Sequence, residues 1–275
     1  MTGRVDSHQH FWRLDRGDYG WLTPDFAPVY RDYLPGDLAP HLAAAGVDST
    51  VLVQAAPTLA ETRFLLDLAA RHENVAAVVG WVDFESELAP YTIAGLAENE
   101  KLVGLRPMIQ DIPDTLWMLN PALAPAIETM IDHDLVFDAL VLPRHLEALG
   151  EFATLYPELR IVVDHGAKPP LRGESLESWK AGIGAIAKST RAVCKLSGLV
   201  TEAGSAEPAR LAPCVGHLLE VFGPARVMWG SDWPVCELVC SYEDWCRTSE
   251  TLLANLSDNE RQRIYAETAR ETYGI

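Results

Sequence analysis

Basic residues are scarce in this chain. Lys and Arg number 22 against 39 Asp and Glu, a formal net charge of −17. So acidic a surface excludes nucleic-acid backbones and anionic membrane surfaces as partners. Cysteine is also sparse: Cys194, Cys214, Cys236, Cys240 and Cys246 are an odd set without a C-x-x-C pair. That pattern excludes a disulfide framework and fits reduced thiols in a cytosol. No run of about 18 apolar residues occurs, and the start of the chain has no apolar signal region, so a soluble, unsecreted, cytoplasmic protein is expected. G-x-S-x-G, P-loop and H-E-x-x-H motifs are missing, which leaves serine-hydrolase, NTPase and zincin chemistry unsignalled. Gly182-Ile183-Gly184-Ala185-Ile186-Ala187 fits G-x-G-x-x-A. It lies within a helical pattern instead of following a strand, and reads as helix packing.

What is present is an alternation. Apolar, β-branched runs fall at Val5–His10, Thr50–Gln54, Val75–Val82, Leu102–Met108, Leu135–Leu140, Arg160–His165, Val193–Ser197 and Arg226–Asp232. Near-continuous hydrophobic runs are expected of strands buried on both faces. Amphipathic segments lie between them. Thr58-Leu59-Ala60-Glu61 and Ser257-Asp258-Asn259-Glu260 read as capping boxes, Gly46 closes the first helix, and the last helix stops near Gly274. Further helices are expected over Leu119–Ile131, Arg144–Leu155, Leu176–Lys188, Ala209–Phe222 and Tyr242–Leu253. Strands alternating with helices predict one α/β domain over residues 1–275, a (β/α)8 TIM-type barrel, distorted or regular, with an extra C-terminal helix.

The connection after the first strand, residues 11–36, is long and aromatic. Phe11, Trp12, Tyr19, Trp21, Phe26, Tyr30 and Tyr33 are seven of the chain's 23 aromatics, a density that argues against disorder. The loop is either packed on the barrel's side or a lid over its mouth.

In such barrels the active site sits at the C-terminal strand ends. The first strand ends in His8-Gln9-His10, where alternation puts both imidazoles on one face. The other ends supply Gln54, Arg106, Asp138, His165 with Lys168 just beyond, Ser197, and Asp232 with Trp233, while Asp83 is a weaker candidate at the third. Buried histidine and aspartate are costly without partners, so His8, His10, His165 and Asp232 together point to chemistry. His41, His72, His133, His145 and His217 fall in helical segments and read as solvated surface, as do Lys101 and Lys195. Cys236, just past Trp233-Pro234, reads as a structural thiol.

These residues resemble the amidohydrolase superfamily, in its amidohydrolase-2 branch, and within it the L-fuconolactonase and L-rhamnonolactonase types. The resemblance rests on Asp6-Ser7-His8-Gln9-His10-Phe11-Trp12, Val51-Leu52-Val53-Gln54-Ala55, Gly104-Leu105-Arg106, Val163-Asp164-His165-Gly166-Ala167-Lys168-Pro169, Lys195-Leu196-Ser197-Gly198-Leu199 and Gly230-Ser231-Asp232-Trp233-Pro234. It implies a hydrolase that opens an aldono-1,4- or 1,5-lactone, with a 6-deoxy or related sugar favoured by the aromatic loop. Many relatives bind two metals bridged by a carboxylated lysine. Here the fourth strand ends in Arg106 without a lysine, and the fifth offers Asp138 where dinuclear relatives have histidine. The resemblance therefore implies one Zn-like divalent ion on His8, His10 and Asp232, with His165 as a further ligand, or metal-independent catalysis.

Asp232 is the expected general base, with His8, His10 and His165 polarising the carbonyl directly or through the ion. Gln54, Arg106, Asp138, Lys168, Ser197 and Trp233 are the expected substrate contacts. A metal-dependent decarboxylase of the same superfamily and a non-catalytic sugar-acid binding barrel are the competing readings. The oligomeric state stays open, a homodimer included.

Overall fold

Eight short strands carry the architecture: β1 Arg4–Gln9, β2 Val47–Val53, β3 Val75–Gly80, β4 Leu102–Leu105, β5 Val136–Ala139, β6 Ile161–Val163, β7 Val193–Leu196 and β8 Val227–Trp229. Each pairs in parallel with the next, in the order β1 to β8. The structure, a computed structural model, describes residues 3–275. Helices lie between the strands: α1 Pro35–Ala45, α2 Leu59–Arg71, α3 Ala89–Ala97, α4 Ala124–Asp132, α5 Leu146–Leu155, α6 Glu177–Ser189, α7 Leu199–Ala203 and α8 Pro208–Phe222. After β8 come α9 Tyr242–Leu252, α10 Asp258–Gln262, a π turn Arg263–Glu267 and α11 Thr268–Tyr273. This is the expected (β/α)8 barrel with a C-terminal helical extension.

The barrel closes where the chemistry is. Past the end of β8, Asp232 N donates to His8 O at 2.7 Å, and His10 N donates to Trp233 O at 2.7 Å. Three candidate catalytic residues, His8, His10 and Asp232, thus form part of the β8–β1 seam.

Alternation along the strands divides the core in two. Val5, Val51, Val53, Ala77, Val79, Val136, Val162 and Met228 share an inner cluster with Ala266, Ala269 and Tyr273 from the C-terminal extension. Leu52, Val78, Leu105, Phe137, Val163 and Trp229 face the helices in an outer cluster. The extension therefore stoppers the interior from the end opposite the strand C-termini.

Local signals were obeyed with informative exceptions. Thr58 Oγ1 accepts from Glu61 N at 3.0 Å, but Glu61 turns away from the box to accept from Ala55 N and Ala56 N at the β2 exit. Ser257 and Glu260 cap each other as expected. Helix α3 was not signalled, being short, with Tyr91 exposed on it and Leu88 exposed at its N-cap. Gly182 packs against Leu146, where a Cβ would lie 2.8 Å from Leu146 Cδ1, which accounts for the G-x-G-x-x-A match.

Two surface expectations are corrected. Lys195 is fully buried: its place between outward Cys194 and Leu196 turns it into the barrel, where Asp138 and Asp164 offset its charge. His145 is also buried, in the turn ahead of α5, where its Nδ1 accepts from Leu142 N at 3.0 Å.

Candidate active site

The chain leaves β1, β6 and β8 in conformations that aim side chains at one point. His8 lies in β1 and His10 just beyond it, across a register irregularity between Asp6 and Gln9. His165 and Asp232 have φ of 53° and 57°, in the left-handed region that costs a non-glycine residue about 1–3 kcal/mol. Hydrogen bonds over-determine the β8 turn: Asp6 accepts from Ser231 N at 2.8 Å, and Ser231 Oγ accepts from Trp233 N at 2.9 Å. Gly198 also has positive φ, and its bare Cα lets His165 pack directly against it.

The convergence is tight. His8 Nε2 lies 3.2 Å from His10 Nε2 and 3.7 Å from Asp232 Oδ1. His10 Nε2 lies 3.2 Å, and His165 Nε2 4.0 Å, from that same oxygen. All four residues are buried. His10 Nδ1 sits 2.8 Å from Val53 O, a pure acceptor, so Nδ1 carries the proton and Nε2 presents a lone pair. Ser197 Oγ holds His165 Nδ1 at 2.8 Å.

Burial pushes the His165 imidazole down to about 4 against the opposing pull of Asp232, so the ring is neutral at neutral pH. Burial and the Lys195 charge hold His8 well below its ordinary value. Burial would raise Asp232, but His165, His10 and His8 outweigh it and hold the carboxyl below the usual carboxylate range.

Above these groups opens a cavity of about 240 Å³. His10, Arg106, His165, Lys168 and Asp232 supply its polar lining, and Trp21, Phe26, Leu140, Val235 and Leu238 an apolar wall. Trp21 is fixed by donating Nε1–H to Ala55 O at 2.8 Å. The aromatic connection is thus wall and rim: Phe11, Trp12 and Tyr33 are buried under it. Tyr33 OH donates to Glu237 Oε2 at 2.6 Å, tying it to the β8 exit.

Four expected contact residues stand behind the cavity lining. Gln54 Nε2 donates to Arg106 O at 2.8 Å and so supports the β4 exit. Ser197 supports His165. Trp233 is buried among Phe11, Tyr33 and His41 and donates to Glu237 Oε1 at 2.8 Å. Asp138 lies deeper, held by Lys195 and by Tyr273 OH. Asp164, which adjoins His165, is a further buried member of the site that its sequence position did not single out. It pairs with Arg106 at 3.2 Å and Lys195 at 3.1 Å. Burial would raise its carboxyl, but Lys195, His8 and Arg106 hold it well below the ordinary value. The available signal was a second ionisable residue beside a strand-end histidine.

The donor set fits a single cation. His10 Nε2 and Asp232 Oδ1 face each other at 3.2 Å as two acceptors, a contact that calls for a proton or a cation between them. A tetrahedral ion with bonds of about 2.0–2.1 Å spans about 3.4 Å between donors. The His8, His10 and Asp232 separations of 3.2–3.7 Å bracket that value.

A (β/α)8 barrel with a strand-one histidine pair, a strand-six histidine and a strand-eight aspartate at its mouth is the framework of amidohydrolases. Residues 5–275 match the amidohydrolase family described as Amidohydro_2, and the chain belongs to it. It is 46% identical to an L-fucono-1,5-lactonase of Burkholderia ambifaria, over 100% of this chain and 97% of the relative. It is 36% identical to an L-fucono-1,5-lactonase of Burkholderia multivorans, over 99% and 96% of the two chains. Among solved structures it is similar to an amidohydrolase of Burkholderia multivorans with bound Zn, with a TM-score of 0.94 and 35% identity over 100% of both chains.

Proposed function

We propose that this protein hydrolyses a sugar-acid lactone of the L-fucono-1,5-lactone class to the open hydroxy acid. The observation that carries the reading is the meeting of three imidazole Nε2 atoms around one ionised carboxylate on a cavity floor, in a chain whose relatives of 46% and 36% identity are both L-fucono-1,5-lactonases. The cavity suits a small ring with hydroxyls on one side and a methyl group on the other, because its lining pairs cationic and acidic side chains with an apolar wall.

His8, His10 and Asp232 would hold a Zn-like divalent ion, whose chemistry is Lewis-acid polarisation of the carbonyl. Asp232 contacts the imidazoles through Oδ1, which leaves Oδ2 to take a proton from the attacking water. Water oxygen bonds to the lactone carbon, and the carbonyl π pair moves onto its oxygen. Arg106 and Lys168, both at the cavity, stabilise that oxyanion. Collapse of the tetrahedral species breaks the ring C–O bond. The Asp232 carboxyl, which holds a proton weakly, returns it to the leaving alkoxide. The new carboxylic acid ionises and releases one proton to solution.

That proton is the assay. Weakly buffered, freshly prepared aldono-1,4- and 1,5-lactones are followed by proton release, with and without a chelator and with the spontaneous rate subtracted. Stereoselective turnover with preference for a 6-deoxy lactone is expected. Folded protein that leaves every lactone at its spontaneous rate but releases CO2 from unsaturated acids would make it a decarboxylase.

A further inference from the structure

Behind His8 lies a buried group of charges that the hydrolytic steps do not use. Lys195 Nζ hydrogen-bonds Asp138 Oδ2 and lies 3.2 Å from His8 Nδ1. Asp164 Oδ1 lies 3.5 Å from the same His8 nitrogen. Lys195 and Asp164 are both fully buried. They therefore compete for one ring nitrogen, and they demand opposite things of it. An ammonium only donates, so its contact requires a lone pair on Nδ1 and puts the ring proton on Nε2, facing His10 and Asp232. A carboxylate only accepts, so its contact requires the proton on Nδ1 and leaves Nε2 a lone pair for a cation.

On the Nδ1 side the geometry is that of the first state. The Lys195–His8 contact has hydrogen-bond length and alignment. Asp164 Oδ1 has no hydrogen-bond partner although it is buried, its 3.1 Å approach to Lys195 being an ion pair without hydrogen-bond alignment. Three donors line up in one direction, Lys195 Nζ to His8 Nδ1, His8 Nε2 to His10 Nε2 at 3.2 Å, and His10 Nδ1 to Val53 O at 2.8 Å, while Arg106 Nη1, at a longer 3.4 Å from His8 Nε2, is a donor set against that order. Orphaned buried acceptors are costly, and Asp164 Oδ1 is placed to be relieved by a His8 Nδ1–H.

We infer that Lys195 and Asp164 form a tautomer selector for His8. Under Lys195 control His8 offers an N–H to a carbonyl oxygen, and under Asp164 control it offers a lone pair to a divalent cation. Both are positioning residues acting through His8. The inference rests on the reading of His8, His10 and Asp232 as a cation site, and it uses no catalytic turnover.

The test is NMR of full-length protein with 15N-labelled histidine, recorded after chelation and during titration with zinc alone. Binding is followed through the His8 and His10 resonances. Expected is the Nε2–H tautomer for His8 in the chelated protein and the Nδ1–H tautomer with zinc. Asp164→Asn should bind zinc about 10–100-fold more weakly, whereas Lys195→Met, which removes the competing donor, should bind it more tightly. A structural role for the pair would weaken binding in both variants, and that result overturns the selector. An Nδ1–H tautomer in the chelated wild type overturns it without any variant, so a Lys195→Met protein that fails to fold does not protect it. Wild type that keeps the Nε2–H tautomer and binds no zinc removes the cation reading instead, and the second state with it.

Discussion

Glu61 shows how one side chain ties a loop to a pH. It is buried beneath the β2 exit and accepts from Ala55 N and Ala56 N. Burial, only partly opposed by those two bonds, raises its carboxyl from 4.5 to about 8. Between those values the folded protein binds more protons at this site than the unfolded chain does. Its contribution to stability is therefore present at low pH and lost as pH rises toward about 8. Glu61→Gln has no such titration. Melting temperatures of wild type and variant, measured in parallel from about pH 5 to about pH 9, should show wild type losing ground to the variant up to about pH 8 and none beyond. A constant difference across that range would contradict the assignment.

Residue identity was legible where it matched a place in a strand. His8, His10, His165 and Asp232 stood at strand ends, and the structure brings the three imidazoles within 4.0 Å of Asp232 Oδ1. Lys195 was not legible, because a lysine in an apolar strand looks the same whether it faces water or a buried pair of carboxylates. Only the sheet's alternation, once closed into a barrel, decides that it points inward.

At the scale of elements, the β7–α7 turn and the aromatic connection each hold part of the site. Gly198, with φ of +67°, would place a Cβ 2.6 Å from His165 Nδ1. Gly198→Ala should cost roughly 1–3 kcal/mol in backbone strain and push His165 off its bond to Ser197. The expected outcome is a lower melting temperature together with a fall in kcat, and wild-type kcat in a destabilised variant would show that His165 tolerates displacement.

Trp21 contributes cavity wall and gives its indole N–H to Ala55 O instead of to the imidazoles. Trp21→Ala should raise KM about tenfold and leave kcat within a few-fold, the signature of lost uniform binding. A fall in kcat at constant KM would instead make the connection part of the catalytic machinery. The aromatic density of residues 11–36 goes with the burial of Phe11, Trp12 and Tyr33. Its role as wall could not be read from the sequence, because it depends on two distant anchors, Ala55 O and Glu237.

At the scale of the molecule, the barrel is held at both ends. The β8–β1 seam is stitched by backbone bonds at His8, His10, Asp232 and Trp233, so closing the barrel and assembling the site are one event. At the other end the C-terminal extension inserts Tyr273, whose OH donates to Asp138 at 2.9 Å. Tyr273→Phe keeps the ring and strands one buried carboxylate oxygen, a loss of roughly 1–3 kcal/mol, to be read from urea unfolding midpoints. No change would mean that Lys195 alone satisfies Asp138.

The eight strands and their order were legible because parallel strands buried on both faces leave near-continuous apolar runs. The stopper was not. The sequence predicted a last helix, but nothing local says that Tyr273 enters the barrel from below.

The central claim is that Asp232 takes a proton from water while a sugar lactone sits in this cavity. It is tested most directly by proton release from fresh L-fucono-1,5-lactone with wild type and Asp232→Asn side by side, each shown to be folded by its melting curve. Expected are stereoselective turnover by wild type and a kcat about 10²–10⁴-fold lower in the variant, with KM little changed. Near-normal turnover by folded Asp232→Asn would contradict it.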